Sequence, residues 1–341
     1  MKEQFIKRVL FSLILLLSPI SGSAAESLIP VGQTVGVTLD MKGVTVVDTT
    51  DIEDKNGEIS SPAEKAGIKI GDVIETIDGK PVSSAEDLEK IITGKDGTEL
   101  KLQIRRGDKE KECVVTPVLS GAEGVYRLGI WVKDAASGIG TVTYLNPETK
   151  EFGALGHGIA ETPESQPISA KGGEIMDAKI VSIQKGGKGQ PGELVGVFTE
   201  EDKKLGTVLA NTPAGLKGIA EKEESFKTVM DAVPVASREE VETGDAEILS
   251  NVEEGKIEKF QVEIQKINKD TDNPKGMVIK VTDPNLLEKT GGIVQGMSGS
   301  PIVQNGKLVG AVTHVFVNDP TRGYGIFIEN MLAEAGEEKH P

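Results

Sequence analysis

Apolar residues recur along this chain in short runs and in strict alternation, a pattern that predicts a mainly β protein. In the first third, short strands surround two predicted helices. The first helix runs from Ser61 to Gly67, with Pro62 in its first turn. The second runs from Ser84 to Ile92, because Leu88, Ile91 and Ile92 share one helical face.

The rest of the chain is rich in strand-like segments and poor in helical ones. Phe260, Val262 and Ile264 alternate with polar residues, which is typical of a half-buried strand. Short strands at this spacing predict a β-barrel or a pair of barrels. The pattern divides the chain into a first domain at residues 26–118, a small polar linker at 119–124 and a strand-rich domain at 125–341.

The first 25 residues have the order of a secretory signal. Lys2, Lys7 and Arg8 precede an apolar run from Val9 to Leu17, and small residues follow up to Ala25. The run is shorter than the roughly 20 residues of a membrane span, although an uncleaved N-terminal anchor is the alternative. Either interpretation places the bulk of the chain outside the cytoplasm in which it is made.

Composition excludes several classes of function. The formal net charge of −16 disfavours binding to nucleic acid and to anionic lipid. Cys113 is the only cysteine, so the chain has no internal disulfide. The three histidines lie in no Cys/His cluster, which argues against a zinc site. No cofactor is predicted.

Ser298 lies between glycines in the stretch from Gly296 to Gly310, which continues into an Asn-Gly hairpin. A nucleophilic hydroxyl needs small neighbours that admit a substrate carbonyl, and backbone N–H groups that hold the oxyanion. We predict Ser298 as the nucleophile and the N–H groups of Gly296 and Ser298 as oxyanion donors. Ser300 is the alternative nucleophile.

A serine needs a base, and His157 is the candidate because glycines on both sides leave its ring accessible. His314 is predicted to be a channel wall or a packed strand residue. For the carboxylate that orients the base we choose Asp283, at the end of a predicted strand. An Asp-Pro turn or helix cap is the competing interpretation of Asp283, and Asp177 and Asp245 stay open as alternatives.

The serine stretch resembles the nucleophile loop and hairpin of chymotrypsin-like serine proteases, which implies a double β-barrel (PA-type) domain with histidine before serine. Two departures matter. Met297 stands where that family has an aspartate that pairs with a new N-terminus, so activation by that ion pair is absent. Gly292 stands at the position of the trypsin pocket aspartate, so no preference for basic residues is implied.

The run from Ser61 to Ile74, followed by Asp78-Gly79-Lys80-Pro81-Val82, resembles a PDZ domain of the bacterial protease-associated kind. Such domains bind a chain end as an added strand between an early strand and the second helix. The resemblance implies a peptide groove formed by Val35, Gly36 and Val37 on one side and by Leu88 and Ile91 on the other. The competing interpretation makes Leu88 and Ile91 core residues.

A PDZ domain, then Gly-Ala-Leu-Gly-His, then Gly291 to Pro301 and Ala311 to Thr321 together resemble one family, the sporulation stage IV protein B peptidases. That resemblance implies a signalling protease with catalytic positions at His157, Asp283 and Ser298. It implies export across the inner forespore membrane into the intermembrane space. There the protein would cut a membrane-bound regulatory subunit, so that an intramembrane protease activates a late sigma factor.

The resemblance also implies self-cleavage, here between about Ala25 and Val37, under control of the PDZ domain. Two other functions stay open. One is a non-catalytic PDZ scaffold in signalling. The other is an envelope quality-control protease of the HtrA kind, against which stands the PDZ domain preceding the protease domain.

Overall fold

The structure is a computed structural model that describes residues 26–107, 109–160, 166–198, 203–253, 255–270 and 275–333. The predicted signal or anchor at residues 1–25 lies outside the described residues. The strands are β1 Ser27–Pro30, β2 Thr34–Thr49, β3 Ile52–Glu53, β4 Ile59–Ser60, β5 Val73–Ile77, β6 Lys80–Pro81, β7 Leu100–Arg106, β8 Lys109–Val115, β9 Val118–Leu119, β10 Tyr126–Arg127, β11 Ile130–Leu145, β12 Glu151–Ala154, β13 Ala170–Asp177, β14 Lys179–Gln184, β15 Glu193–Val197, β16 Lys204–Thr212, β17 Gly215–Ala220, β18 Val233–Pro234, β19 Gly244–Glu253, β20 Lys256–Ile267, β21 Met277–Val281, β22 Pro301–Gln304, β23 Lys307–Phe316 and β24 Asp319–Phe327. The helices are α1 Pro62–Lys65, α2 Ala85–Thr93, α3 Pro284–Thr290 and α4 Ile328–Ala333, and 3-10 turns lie at Glu223–Ser225 and Arg238–Glu240.

Helix α2 forms where the sequence pattern places it. Ser84 caps its first turn by accepting a hydrogen bond from the N–H of Asp87 at 3.1 Å. Leu88 and Ile92 are buried on its inner face and join the core of the small N-terminal domain. That core also takes in the last part of β2 and strands β5, β7 and β8.

Six strands form the first barrel, in the order β2, β11, β12, β17, β16, β13 and back to β2. Each neighbouring pair is antiparallel. Phe152 lies fully buried in its core together with Leu39 and Leu216. Strand β1 extends the sheet beside β11.

The second barrel is a closed ring of six strands in the order β19, β20, β21, β24, β23 and β22. Its core contains Ile248, Ile302 and Phe327, all with no exposed surface. A PDZ domain followed by two packed barrels confirms the mainly β fold class predicted from the sequence.

Two 16-residue strands, β2 and β11, run through both the small domain and the first barrel. The first half of β2 pairs with β13 in the barrel, whereas Val44 and Thr45 pair with β5 in the small domain. The packing therefore differs from the sequence-based division at residues 26–118. Val35 and Leu39 belong to the barrel core, and Ile130 and Val132 pack against the core of the small domain.

Within the described residues, no helix is both long enough and apolar enough to cross a membrane.

Candidate active site

Glycines shape the turn that carries Ser298. Gly296 and Gly299 have φ angles of 95° and 98°. A side chain at Gly299 would overlap the carbonyl oxygen of Thr141, so only glycine fits. Strand β11 holds the turn from the first barrel, because Thr141 donates its N–H to the Ser298 carbonyl at 3.0 Å and its hydroxyl to the Gly296 carbonyl at 2.7 Å. The serine therefore sits at the junction of the two barrels.

Ser298 is half-buried, and its hydroxyl points towards β23. Its Oγ donates to the carbonyl oxygen of Thr313 at 2.6 Å. The proton that a base must remove is therefore held by a backbone carbonyl in this structure, and it must leave that carbonyl before attack.

Two backbone N–H groups on the turn are left for a ligand. The N–H groups of Met297 and Gly299 donate to backbone carbonyls at 3.1 and 2.8 Å. Those of Gly296 and Ser298 have no protein acceptor within the described residues. Two unpaired donors flanking a serine are what an oxyanion requires, and they are the two N–H groups proposed from the sequence.

His157 follows β12 after two residues with left-handed backbone. Leu155 and Gly156 both have φ of 69°, a strained conformation for a bulky residue such as leucine. The N–H of Leu155 donates to the carbonyl of Thr141 at 3.1 Å. The histidine loop and the Ser298 turn are thus fixed to the same residue of β11.

A backbone carbonyl sets the tautomer of His157. Its Nδ1 lies 3.0 Å from the carbonyl oxygen of Gly158. A carbonyl only accepts, so Nδ1 carries the hydrogen and Nε2 keeps its lone pair. Burial lowers the pKa of His157 below its ordinary 6.5, with a smaller opposing effect of the Gly158 carbonyl. The imidazole is therefore neutral at neutral pH and can accept a proton on Nε2.

His314 lies against His157. The two ring centroids are 4.7 Å apart and the ring planes are tilted by 36°. Burial, with smaller contributions from the positive charges that His157 and Lys275 can carry, lowers the pKa of His314 to about 4. Its Nδ1 is buried and has no hydrogen-bond partner within the described residues. His314 was predicted to be a channel wall or a packed strand residue, and its contact with His157 was not predicted.

Within the described residues, Asp283 forms hydrogen bonds of a helix cap and none with His157. Asp283 caps helix α3, where its Oδ1 accepts the N–H groups of Asn285 at 2.9 Å and Leu286 at 3.1 Å. Its Oδ2 accepts the N–H of Gln261 at 3.3 Å. These contacts are those of a helix cap, which was the competing interpretation of Asp283. They do not include the predicted contact that would orient His157.

The two alternative carboxylates also bind elsewhere. Asp177 accepts a hydrogen bond from Gln33 at 2.9 Å and pairs with Lys227 at 3.5 Å. Asp245 lies exposed on β19, opposite Glu263. Within the described residues, no carboxylate forms a hydrogen bond or an ion pair with His157.

Ser300, the alternative nucleophile, has no exposed surface and lies behind the turn. Its N–H donates to Met297 and its carbonyl accepts from Val312, both at 2.9 Å. A substrate carbonyl has no access to this hydroxyl, which supports Ser298 as the nucleophile.

The position that corresponds to the trypsin pocket aspartate is closed. A side chain at Gly292 would overlap the carbonyl of Pro320, and the N–H of Ile293 donates to that same carbonyl at 2.8 Å. The described residues therefore place no acidic group at the base of a pocket there.

The peptide groove predicted at Val35, Gly36 and Val37 is corrected by the structure. Val35 and Val37 are buried in the first barrel, and this stretch pairs with β11 on one edge and with β13 on the other. A peptide strand needs a free edge, and none is present there. Leu88 is buried in the domain core and Ile91 packs against it, as the competing interpretation proposed, and Leu88 also lines a cleft.

That cleft has a volume of about 490 Å³ and lies between α2 and the first residues of β11. Leu88 and Ile92 form its helix side, and Ile130 and Val132 form its strand side. Among the residues that the structure describes, these strand residues pair with β2 on one edge and with no strand on the other. The cleft has the strand-and-helix construction of a PDZ peptide groove, but its strand comes from the C-terminal side of the domain.

A local signal for this groove is present in the sequence and was missed. Arg127-Leu128-Gly129-Ile130 makes the turn into β11, and Gly129 has φ of 73°. A side chain at Gly129 would overlap the carbonyl of Thr50, whose own N–H donates to the Gly129 carbonyl at 2.9 Å. An apolar-glycine-apolar turn before a strand is the pattern that would have identified the groove.

Known proteins match short segments of this chain. A probable CtpA-like serine protease of Staphylococcus haemolyticus is 39% identical over 83 residues, which is 24% of this chain and 16% of the relative. Serine protease HTRA1 of Xenopus tropicalis is 49% identical over 57 residues, 17% of this chain and 12% of the relative. The chain therefore spans less than a fifth of the length of either relative.

Two solved structures show weaker likeness. The PDZ domain of an SdrC-like protein from Listeria monocytogenes has 25% identity and a TM-score of 0.22, covering 27% of this chain and 87% of its own. Rv3671c from Mycobacterium tuberculosis, in an inactive mutant form, has 15% identity and a TM-score of 0.30, covering 60% of this chain and 84% of its own. Neither likeness is strong enough to carry an argument about function.

Family models give the decisive match. A PDZ domain model matches residues 32–116. The model of the SpoIVB peptidase S55 family matches residues 124–332, more than half of the 341-residue chain. Both matches confirm the resemblance drawn from the sequence, and the chain carries a PDZ domain and belongs to the SpoIVB peptidase S55 family.

Proposed function

We propose that this serine peptidase acts in sporulation signalling, cleaving itself and a membrane-bound regulatory subunit. That cleavage frees an intramembrane protease to activate a late sigma factor. The protein would reach its substrate by export across the inner forespore membrane into the intermembrane space. Family membership supports the role, and the signal-like order of residues 1–25 supports the export.

The observation that carries the catalytic part is the arrangement around Ser298. His157 takes the hydroxyl proton on Nε2 as Oγ attacks the substrate carbonyl, and the oxygen that becomes negative accepts from the N–H groups of Gly296 and Ser298. The histidinium then gives that proton to the leaving amine. Water repeats the sequence on the acyl-enzyme and restores Ser298.

Within the segment from Ala25 to Val37, in which we predict self-cleavage, burial and strand pairing make some peptide bonds less accessible than others. Leu28 and Val31 are fully buried, and β1 pairs with both β11 and β18. A peptide bond in a paired, buried strand does not enter an active site unless the strand is released. Glu26 and Ser27 are exposed, although Ser27 pairs with Pro234 and the Glu26 carbonyl accepts the N–H of Val235, so we place the first cut at Glu26, at the outer end of this pairing.

The cleft between α2 and β11 would capture an extended peptide of the substrate. A chain end that adds to the free edge of Ile130–Val132 gains backbone hydrogen bonds, while its side chains meet Leu88 and Ile92. Capture of this kind would raise the local concentration of the scissile segment near Ser298.

Intact mass of the secreted chain, followed over time, tests the catalytic part. We expect wild type to lose N-terminal residues, Ser298→Ala to keep its mass, and the matched control Ser300→Ala to behave as wild type. Equal masses in wild type and Ser298→Ala, with the membrane-bound subunit present and also uncut, would contradict the proposal. A wild type that cuts itself but leaves the membrane-bound subunit intact would reject the signalling role and keep the peptidase.

A further inference from the structure

A β-hairpin inserted in the first barrel reaches across to the turn that carries Ser298. The hairpin consists of β14 and β15, which pair antiparallel, and it lies in the chain between the barrel strands β13 and β16. Leu194 on β15 is only 1% exposed and belongs to the core of the second barrel. The hairpin therefore leaves the barrel to which it is connected and packs against the other one.

The hairpin binds the residue that precedes Gly296. Leu194 donates its N–H to the carbonyl of Gln295 at 2.9 Å, and Gln295 donates its own N–H to the carbonyl of Gly192 at 2.8 Å. The two bonds form a short parallel bridge between β15 and the Ser298 turn. Both backbone polar groups of Gln295 are thus held by the hairpin.

The bond from Leu194 sets the direction of an oxyanion donor. The carbonyl of Gln295 and the N–H of Gly296 belong to one planar trans peptide, so the two groups point in opposite directions. Because Leu194 holds the carbonyl on the hairpin side, the Gly296 N–H points away from the hairpin. Rotation of this peptide would turn a carbonyl oxygen towards the oxyanion position and repel the negative charge of the transition state.

Gly296 does not select this orientation by itself. Its φ is 95°, and glycine reaches many other conformations as readily as this one. The surroundings restrict it, because a β-carbon at Gly296 would lie 3.1 Å from the Cβ of Leu194 and 3.4 Å from the Cγ2 of Ile139. Leu194 therefore contacts this peptide both through its N–H and through its side chain.

The tip of the hairpin is fixed on the second barrel as well. Gly186 donates its N–H to the carbonyl of Thr290, and Gly189 donates to that of Val317, both at 2.8 Å. Thr290 precedes Ser298 in the chain and Val317 follows it. Segments on both sides of the serine turn thus hold the hairpin, and they give the N–H of Leu194 a defined position relative to Gln295.

We propose that Leu194 is a positioning residue of the oxyanion hole and that its N–H holds the Gln295–Gly296 peptide in the active orientation. The hairpin thereby takes the role of the N-terminal ion pair, which Met297 cannot form. The proposal rests on the peptidase activity at Ser298 and adds a residue to it.

Two substitutions at Leu194 separate its N–H from its side chain. The N–H points at Gln295 and away from β14, so Leu194→Pro removes this bond and keeps the pairing with β14. Leu194→Ala also loses the leucine side chain but keeps the N–H, which makes it the matched control. With a peptide substrate that spans the self-cleavage site, we expect kcat of Leu194→Pro to be roughly a hundredfold below that of Leu194→Ala, with similar KM. Equal kcat in the two variants would overturn the proposal.

A second measurement uses the wild-type chain and needs no folded variant at position 194. A peptide boronate forms a tetrahedral adduct on Ser298 whose oxygen accepts from the oxyanion donors. Coupling between two sites is reciprocal, so the adduct should slow hydrogen exchange of the Leu194 amide roughly tenfold, as measured by NMR. The amide of Val262, in the same core but on β20, is the control and should change little.

The outcomes of this measurement separate the proposal from the peptidase activity itself. If the Gly296 amide resonance shifts on adduct formation while exchange at Leu194 stays as it was, the proposal is overturned and the peptidase is kept. Equal slowing at Leu194 and Val262 would also overturn it, because general rigidity would then explain the effect. Failure of the boronate to form any adduct on Ser298 would overturn the peptidase activity and this proposal with it.

Discussion

Thr141 donates its backbone N–H to the carbonyl of Ser298 at 3.0 Å, so that a strand of the first barrel holds the proposed nucleophile beside the second. The same residue donates its hydroxyl to Gly296 at 2.7 Å and accepts the N–H of Leu155 at 3.1 Å. The serine turn and the histidine loop therefore share one fixed point. Displacement of the first barrel relative to the second would separate the nucleophile from its base.

Thr141→Val tests this fixed point. Valine keeps the shape and removes the hydroxyl, which leaves the buried Gly296 carbonyl without that donor. We expect a loss of about 1–3 kcal/mol in the free energy of unfolding and a fall of roughly tenfold in kcat. Thr141→Ser keeps the donor and is the matched control. Denaturant unfolding and steady-state kinetics check both values, and full activity in Thr141→Val would show that the hydroxyl does not shape the turn.

Asp283 provides a second test, since a helix cap and a catalytic carboxylate respond differently to substitution. Asp283→Ala should lower the free energy of unfolding by about 0.5–2 kcal/mol. Asp283→Asn and Asp283→Ser keep a capping oxygen and should keep both stability and kcat. A stable Asp283→Asn protein without activity would instead restore the carboxylate to the catalytic site.

The pH profile follows from the burial of the two histidines. Burial lowers the pKa of His157, so the acid limb of kcat/KM should lie below pH 6.5. The free energy of unfolding should also fall as the pH is lowered. The unfolded chain binds protons on His314 from about pH 6.5 downward, whereas the folded chain does so only near pH 4. The contribution of His314 to stability is therefore complete above pH 6.5 and is lost as the pH falls towards 4.

Stopped assays at constant ionic strength and thermal unfolding between pH 4 and 8 would measure these two dependences. Between pH 6.5 and 4, the free energy of unfolding of His314→Phe should fall less than that of wild type, because the contribution of His314 is absent. An acid limb above pH 6.5 would mean that His157 is not buried in the active enzyme.

The sequence predicted best those features that short segments decide. The turn around Ser298 and the helix capped by Ser84 depend on residues within a few positions of one another, and both lie where the pattern places them. The pairing of His157 with His314 depends on packing between barrels across more than 150 residues. No local pattern encodes such a contact, so His314 was assigned to a wall.

The peptide groove was predicted at the wrong strand for a different reason. The matches from Ser61 to Ile74 identify the PDZ domain, but the strand that completes its groove follows the domain in the chain. The early strand at Val35 to Val37 has the expected apolar pattern because it is buried, and it is buried in a barrel. Apolar alternation reports burial and does not report which core the strand joins.

Trp131 allows a direct test of the groove. It is the only tryptophan of the chain, it is 64% exposed, and it lies beside the cleft. Binding of a peptide with a free C-terminal carboxylate should change its fluorescence in a saturable way, and Leu88→Ala should weaken binding. Ile91→Ala is the matched control, since Ile91 packs against the core outside the cleft. Equal affinity for Leu88→Ala and wild type would reject this location.

Deletion of the small domain tests whether the first barrel needs the parts of β2 and β11 that it shares with that domain. Removal of residues 26–118, the sequence-based domain, also removes β2 from the first barrel and the neighbouring strand β1. The closed ring then loses a strand, and buried residues such as Ile175 become exposed. We expect this variant to unfold or aggregate.

Removal of residues 43–132 should have the opposite result. Asp40 lies opposite Ala135 in the β2–β11 ladder, so an Asn-Gly turn that joins Lys42 to Lys133 closes a hairpin in register. We expect cooperative thermal unfolding and labelling of Ser298 by a fluorophosphonate, because the ring of six strands is intact. If the shorter deletion fails to fold while removal of 26–118 leaves a cooperative, labelled protein, then the first barrel does not need β2. In that case β2 would not connect the cleft beside α2 to the barrel that holds the Ser298 turn.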